Sequence, residues 1–146
     1  MTLRHLNITI IGAGVGGLAV ALVLQRKGAQ VTVLEQSEAI SEVGAGLQVT
    51  PNGVAVLTAL GLDAASVAMR SNGVMLLDGY TGRTVLHMDL QRYRPDNAFL
   101  LMHRADLIDL LAQGAREING GRSRGNGGEI SLRFWKSGGG GAISGE

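Results

Sequence analysis

An α/β fold opening on a strand, turn, helix and strand is predicted for this 146-residue chain by three observations in its first 35 residues. Leu6 to Ile11 is apolar and rich in β-branched residues, as a buried strand is. Glycines at 12, 14, 16 and 17 follow at once and lead into an apolar run that ends at Arg26 and Lys27. A second short β-branched stretch, "QVTVLE", then ends at Glu35. With 45% hydrophobic residues the chain can bury one modest core, so one domain is expected.

The first element has a competitor. Asn7 to Gln25 carries no charge and Arg4 precedes it, which is the outline of a secretory signal. Four glycines inside that apolar run oppose this, because each costs a helix on the order of 1 kcal/mol relative to alanine. A signal segment also has no need of the charged helix end and second strand that follow. A helix over roughly Val15 to Lys27 accounts for both, with cations in its last turn and Gly28 free to take the left-handed conformation that stops it. A cytoplasmic location is therefore expected.

In that context the glycines gain meaning. "GAGVGG" is G-x-G-x-x-G placed directly after a strand and opening a helix. Gly12 would allow the tight turn, Gly14 the approach of a pyrophosphate, and Gly17 the close packing of helix on strand, with Gly16 in the same loop. The phosphates would lie at the helix N-terminus, where N–H groups and the dipole favour anions. Glu35 stands about 18 residues beyond Gly17, near the spacing at which an acid accepts ribose hydroxyls and repels a 2′-phosphate. The unit reads as Rossmann-like and dinucleotide-binding.

The next segments follow the same logic. Gly44 and Gly46 make a loop that a flat ring could approach without Cβ clashes. Thr50, Pro51 and the apolar Val54, Leu57 and Leu60 read as N-cap, first-turn proline and buried stripe of a short helix closed by Gly61. Val74 to Leu77 and Thr84 to Met88 flank a Gly79 to Gly82 turn, predicting a β-hairpin within 72–89. Its polar residues Asp78, Arg83, His87 and Asp89 are read as solvent-facing, and no catalytic residue is assigned. Arg104 opens a further helix with apolar positions Leu107, Ile108, Leu110, Leu111, Ala115 and Ile118, and Asp106 is its N-terminal charge.

Composition excludes several classes of function. Thirteen basic against twelve acidic residues leave no electrostatic footprint for nucleic acid or an anionic membrane. The absence of cysteine removes disulfides, thiolate nucleophiles and Cys-ligated zinc. Three histidines without ligand spacing give no metal site.

The stretch "GAGLQVTPNG", Gly44 to Gly53, and the later "HRADL", His103 to Leu107, together with the fingerprint, resemble the group A flavoprotein aromatic hydroxylases, the family of salicylate hydroxylase and para-hydroxybenzoate hydroxylase. The resemblance runs from about residue 6 to about residue 118. It implies FAD as cofactor and NAD(P)H as co-substrate, with a small aromatic acid hydroxylated by oxygen in a pocket closed to water. It places Gly44, Ala45, Gly46 and Leu47 beside the flavin, Arg104 on a cofactor oxygen, and the hairpin at the beginning of an interleaved substrate-binding sheet.

The resemblance also implies an incomplete chain. Ten of the 28 residues from Asn119 to Glu146 are glycine, against thirteen in the preceding 118. That tail is expected to be disordered around one candidate strand, Ile130 to Lys136, because its composition cannot build a core. Two later FAD motifs of the family, centred on Asp-Gly and Gly-Asp, are missing: the only Asp-Gly is Asp78-Gly79, inside the hairpin, and no Gly-Asp occurs. The expectation is a partial FAD-binding domain over 1–118, truncated and inactive alone. The alternative is a non-catalytic dinucleotide-binding module or remnant that a separate chain completes.

Overall fold

A computed structural model describes residues 2–37, 46–120 and 130–134, with residues 117–120 and 134 described by backbone alone. The described residues fall in two compact units, Met1–Gly44 with Ala105–Glu146, and Ala45–Arg104.

In the first unit, β1 (Asn7–Ile11), α1 (Val15–Arg26) and β2 (Gln30–Glu35) form the expected sequence of strand, helix and strand. The two strands pair in parallel, from Asn7 opposite Gln30 to Ile11 opposite Leu34. The helix stops as its sequence requires. Gly28 adopts φ +93°, its N–H donates to Gln25 O at 2.8 Å, and Ala29 N–H donates to Leu24 O at 3.1 Å. These two bonds are the Schellman closure, which only a residue at ease with positive φ allows at this position.

Helix α4 (Arg104–Gly120) buries Leu107, Ile108, Leu111, Ala112 and Ala115. Of the expected stripe, Leu107, Ile108, Leu111 and Ala115 are buried and Leu110 is half-buried, Ala112 joins them, and the side chain of Ile118 lies outside the description. The candidate strand of the tail is β8 (Ile130–Phe134), and Trp135 and Lys136 lie outside the described residues. It is not solitary: it pairs in parallel with β2, Val31 opposite Ile130 and Glu35 opposite Phe134, to give the sheet order β1-β2-β8. This strand joins an existing core instead of building one. Leu18 of α1, Ala112 and Ala115 of α4 and Ile130 and Leu132 of β8 line one cavity of about 40 Å³, so both helices and the sheet share that core. Ile130 is 7% exposed. Ile130→Ala is expected to lower stability by about 2–4 kcal/mol through lost burial and the cavity left behind, measured as a fall in the thermal midpoint by circular dichroism.

In the second unit, α2 (Pro51–Ala59) begins after Thr50 with Pro51 in its first turn and buries Leu57 and Leu60, with Val54 half-buried. Gly61, at φ +69°, closes it by the same two-bond arrangement. The loop expected across 44–53 is partly a strand. Gly46–Val49 forms β3, because it finds an antiparallel partner in β7 (Leu100–His103), on whose other side lies β4 (Met69–Arg70). A 3-10 turn over Ala64–Val67, capped by Asp63, precedes β4.

The predicted hairpin is β5 (Gly73–Leu77) and β6 (Thr84–Asp89), antiparallel, with an irregularity between Leu76 and Leu77. Its turn is fastened by Asp78, whose Oδ1 accepts from Tyr80 N–H, Thr81 N–H and the Thr81 hydroxyl. Asp89 instead caps the short helix α3 (Leu90–Tyr93), accepting from Arg92 N–H at 2.9 Å. Both carboxylates serve local structure. Among the described residues the hairpin stands as a two-stranded sheet, and Met75, Leu76, Leu77, Val85, Leu86 and Met88 are all exposed.

Candidate functional site

The first unit concentrates the fingerprint where β1 hands over to α1. Gly12 takes φ +99°, a backbone region that side chains rarely enter, and its N–H donates to Leu34 O at 2.7 Å. The chain thereby turns at the end of the parallel ladder while staying attached to β2. Gly14 is the N-cap of α1, extended at φ −71°, ψ −178°, with no side-chain cap and no acid in the first turn. The first intrahelical donor is Leu18 N–H, to Gly14 O at 3.0 Å, so the amides of Val15, Gly16 and Gly17 have no acceptor within the helix.

The three fingerprint glycines have different surroundings. A Cβ at Gly17 would fall on the carbonyl oxygen of Gly12 and lie 3.4 Å from Ile10 Cγ2, so close packing of helix on strand demands glycine there. A Cβ at Gly14 or Gly16 would meet nothing within 4 Å. Among the described residues, glycine at 14 is required by neither the backbone angles nor the packing, and the open space over it, beside amides that have no acceptor within the helix, is what a pyrophosphate would fill.

Glu35 closes the site from the end of β2. Its Oε2 accepts from Ala13 N–H at 2.7 Å and its Oε1 from Ser37 N–H at 2.9 Å. Hydrogen bonds from the Ser37 and Ala13 backbone amides favour the carboxylate and hold its pKa below the ordinary value, against a smaller opposing effect of burial. The folded state therefore binds this proton less readily than the unfolded chain. The stability this contributes is complete above the ordinary glutamate range and is lost as pH falls through the lowered native value. Glu35→Gln is expected to show a smaller drop in thermal midpoint than the parent between about pH 6 and about pH 3.5. Asp78, lowered in the same direction by Thr81, is common to both proteins and cancels in that comparison.

The second unit holds the remaining candidates. The β3–β7 register sets Gly46 opposite His103 and Leu47 opposite Met102, and Arg104 follows directly as the first residue of α4. Two segments more than fifty residues apart in sequence, "GLQV" and "LLMHR", are thus neighbours, which the missed strand β7 explains. Gly46 is exposed and a Cβ there would lie 3.9 Å from Met102 O, ordinary contact, so its glycine is not needed for packing. Gly44 and Ala45 lie outside the described residues. No group of three or more metal-ligating side chains occurs among the described residues, and no helix there is long and apolar enough to cross a membrane.

The chain is similar to 3-hydroxybenzoate 6-hydroxylase 1 of Aquipseudomonas alcaligenes, 39% identical over 114 residues that cover 75% of this chain and 29% of that protein. It is 37% identical over 117 residues to the 3-hydroxybenzoate 6-hydroxylase of Polaromonas naphthalenivorans, again covering 29% of the relative. Its fold matches the tetrameric form of 2-methyl-3-hydroxypyridine-5-carboxylic acid oxygenase with a TM-score of 0.69 at 23% identity, over 88% of this chain and 32% of that one. The chain thus spans under a third of the length of these proteins. Residues 5–122 match the family model described as FAD binding domain, and this chain belongs to that family, with FAD as its cofactor.

Proposed function

We propose that the glycine turn, the first turn of α1 and Glu35 hold the adenosine and pyrophosphate half of FAD, and that the chain is the FAD-binding segment of an aromatic-ring monooxygenase. The observation that carries this is the open space over Gly14, set between amides that have no acceptor within the helix and an ionised acid. Phosphate oxygens would accept from the amides of the first helical turn, and the Glu35 carboxylate would accept from the ribose hydroxyls. Gly44, Ala45, Gly46, Leu47 and Arg104 are proposed as further cofactor contacts, with the Arg104 guanidinium on a phosphate or ribose oxygen. When bound, FAD supplies the redox chemistry, and the protein's share is binding, orientation and exclusion of water.

The similarity to 3-hydroxybenzoate hydroxylases supports a small hydroxylated aromatic acid as substrate, with NAD(P)H and oxygen proposed as co-substrates and the cytoplasm as the proposed setting. Because the chain spans 29% of those relatives, turnover is assigned to the complete assembly and not to these 146 residues. A second reading, a binding module completed by a separate chain, is favoured by the exposed apolar side chains of β5 and β6. Titration of the purified chain with FAD, followed by flavin fluorescence, tests the common part of both. Saturable binding is expected, weakened about tenfold or more in Glu35→Ala, equivalent to about 1.4 kcal/mol. A soluble, folded chain that leaves flavin fluorescence unchanged would exclude a working half-site.

A further inference from the structure

Glu35 stands beside the glycine turn and is fixed there by two hydrogen bonds. Oε1 is held by Ser37 N–H, from the chain just beyond β2, which sets the direction of the carboxylate. Oε2 reaches across to Ala13 N–H at 2.7 Å, joining the second strand to the residue between the first two fingerprint glycines. Gly12 N–H is meanwhile given to Leu34 O. The first two amides of the turn are therefore both committed to β2, and those ahead of Leu18, at Val15, Gly16 and Gly17, are not used by the helix.

We propose that Glu35 is a positioning residue for the glycine turn as well as an acceptor for ribose: its carboxylate takes the Ala13 amide and thereby steers a pyrophosphate to the first turn of α1. This inference rests on the dinucleotide reading above and deepens it. Two physical effects act together. An N–H already donating to a carboxylate is a poor donor to a second anion, and the charge itself repels phosphate oxygens from that end of the turn. What remains attractive is the helix N-terminus under Gly14, where a Cβ would meet only open space. The carboxylate also ties down the conformation of a segment containing a positive-φ glycine, which otherwise has more backbone freedom to lose on binding.

A ribose contact and a turn-positioning contact predict different behaviour toward a ligand that has no ribose diol. Affinities of ADP and of 2′,3′-dideoxy-ADP are measured by calorimetry for the parent chain, Glu35→Ala and Glu35→Gln, alongside hydrogen exchange of the Ala13 amide by NMR in the unliganded proteins. Glu35→Ala is expected to weaken dideoxy-ADP about tenfold and to speed Ala13 exchange at least tenfold with far-UV circular dichroism unchanged. Glu35→Gln, which keeps a side-chain carbonyl acceptor, is expected to restore much of the Ala13 protection. Equal affinity of the parent and Glu35→Ala for dideoxy-ADP, or Ala13 exchange as fast in the parent as in Glu35→Ala, would overturn the proposal. Failure of the parent to bind ADP at all would sink the dinucleotide reading, and Ala13 exchange would still decide whether the carboxylate holds the turn.

Discussion

Gly17→Ala is expected to destabilise the first unit by about 3 kcal/mol or more, although alanine is the better helix former. Intrinsic propensity favours alanine over glycine by about 1 kcal/mol inside a helix, so Gly17, in α1, would gain from the change if nothing else intervened. Sterics decide otherwise. The new methyl would coincide with the Gly12 carbonyl oxygen, and backbone cannot swing aside as a flexible side chain can. Relief requires α1 to lift from β1, losing contacts of Leu18 and Leu22, both almost fully buried. A thermal melt checks this directly. A midpoint equal to or above that of the parent would mean that α1 does not sit on β1 at this distance.

Gly14→Val is expected to do the reverse: to leave the fold intact and abolish FAD binding. At φ −71° and ψ −178° any residue is comfortable, and the added side chain meets no protein atom. The cost to stability is about 1 kcal/mol or less, the scale of an unfavourable N-cap. The space it fills is that proposed for the pyrophosphate, so flavin titration should show at least a 100-fold loss of affinity, equivalent to about 2.7 kcal/mol. Paired with Gly17→Ala, the variant separates two glycines of one motif by what they do, one for the protein and one for its ligand. Unchanged FAD affinity in Gly14→Val would place the phosphates elsewhere.

What could be read in the sequence was what local chemistry determines. The β1, α1 and β2 boundaries, the glycine closures at 28 and 61, the hairpin around Asp78 and the start of α4 at Arg104 all carry their signals within a few residues. The strands not foreseen, β3, β4 and β7, are two to four residues long and exist because of partners far along the chain. "LLMH" has no turn chemistry of its own to mark it as a strand; its pairing with Gly46–Val49 supplies the reason. Within the site, the glycine spacing and the acid at 35 were legible. The bond from Ala13 to Glu35 was not, because it depends on where a positive-φ turn points one amide. The strand at 130 was legible too, but its place beside β2 was not.

That place governs the order in which the molecule can be made. Pairing of β1 with β2 joins neighbours in sequence, whereas Val31 meets Ile130 only after a loop of roughly a hundred residues has closed, a contact that is slow to form and late in any folding scheme. During synthesis the glycine turn, α1 and β2 emerge early, and α4 and β8 arrive only after the whole of Ala45–Arg104 has been made. Until then the outer edge of β2 offers a row of unpaired amides and carbonyls to whatever strand comes first. The nascent chain is therefore most vulnerable to mispairing over that interval, and slower translation across residues 45–129 would lengthen it.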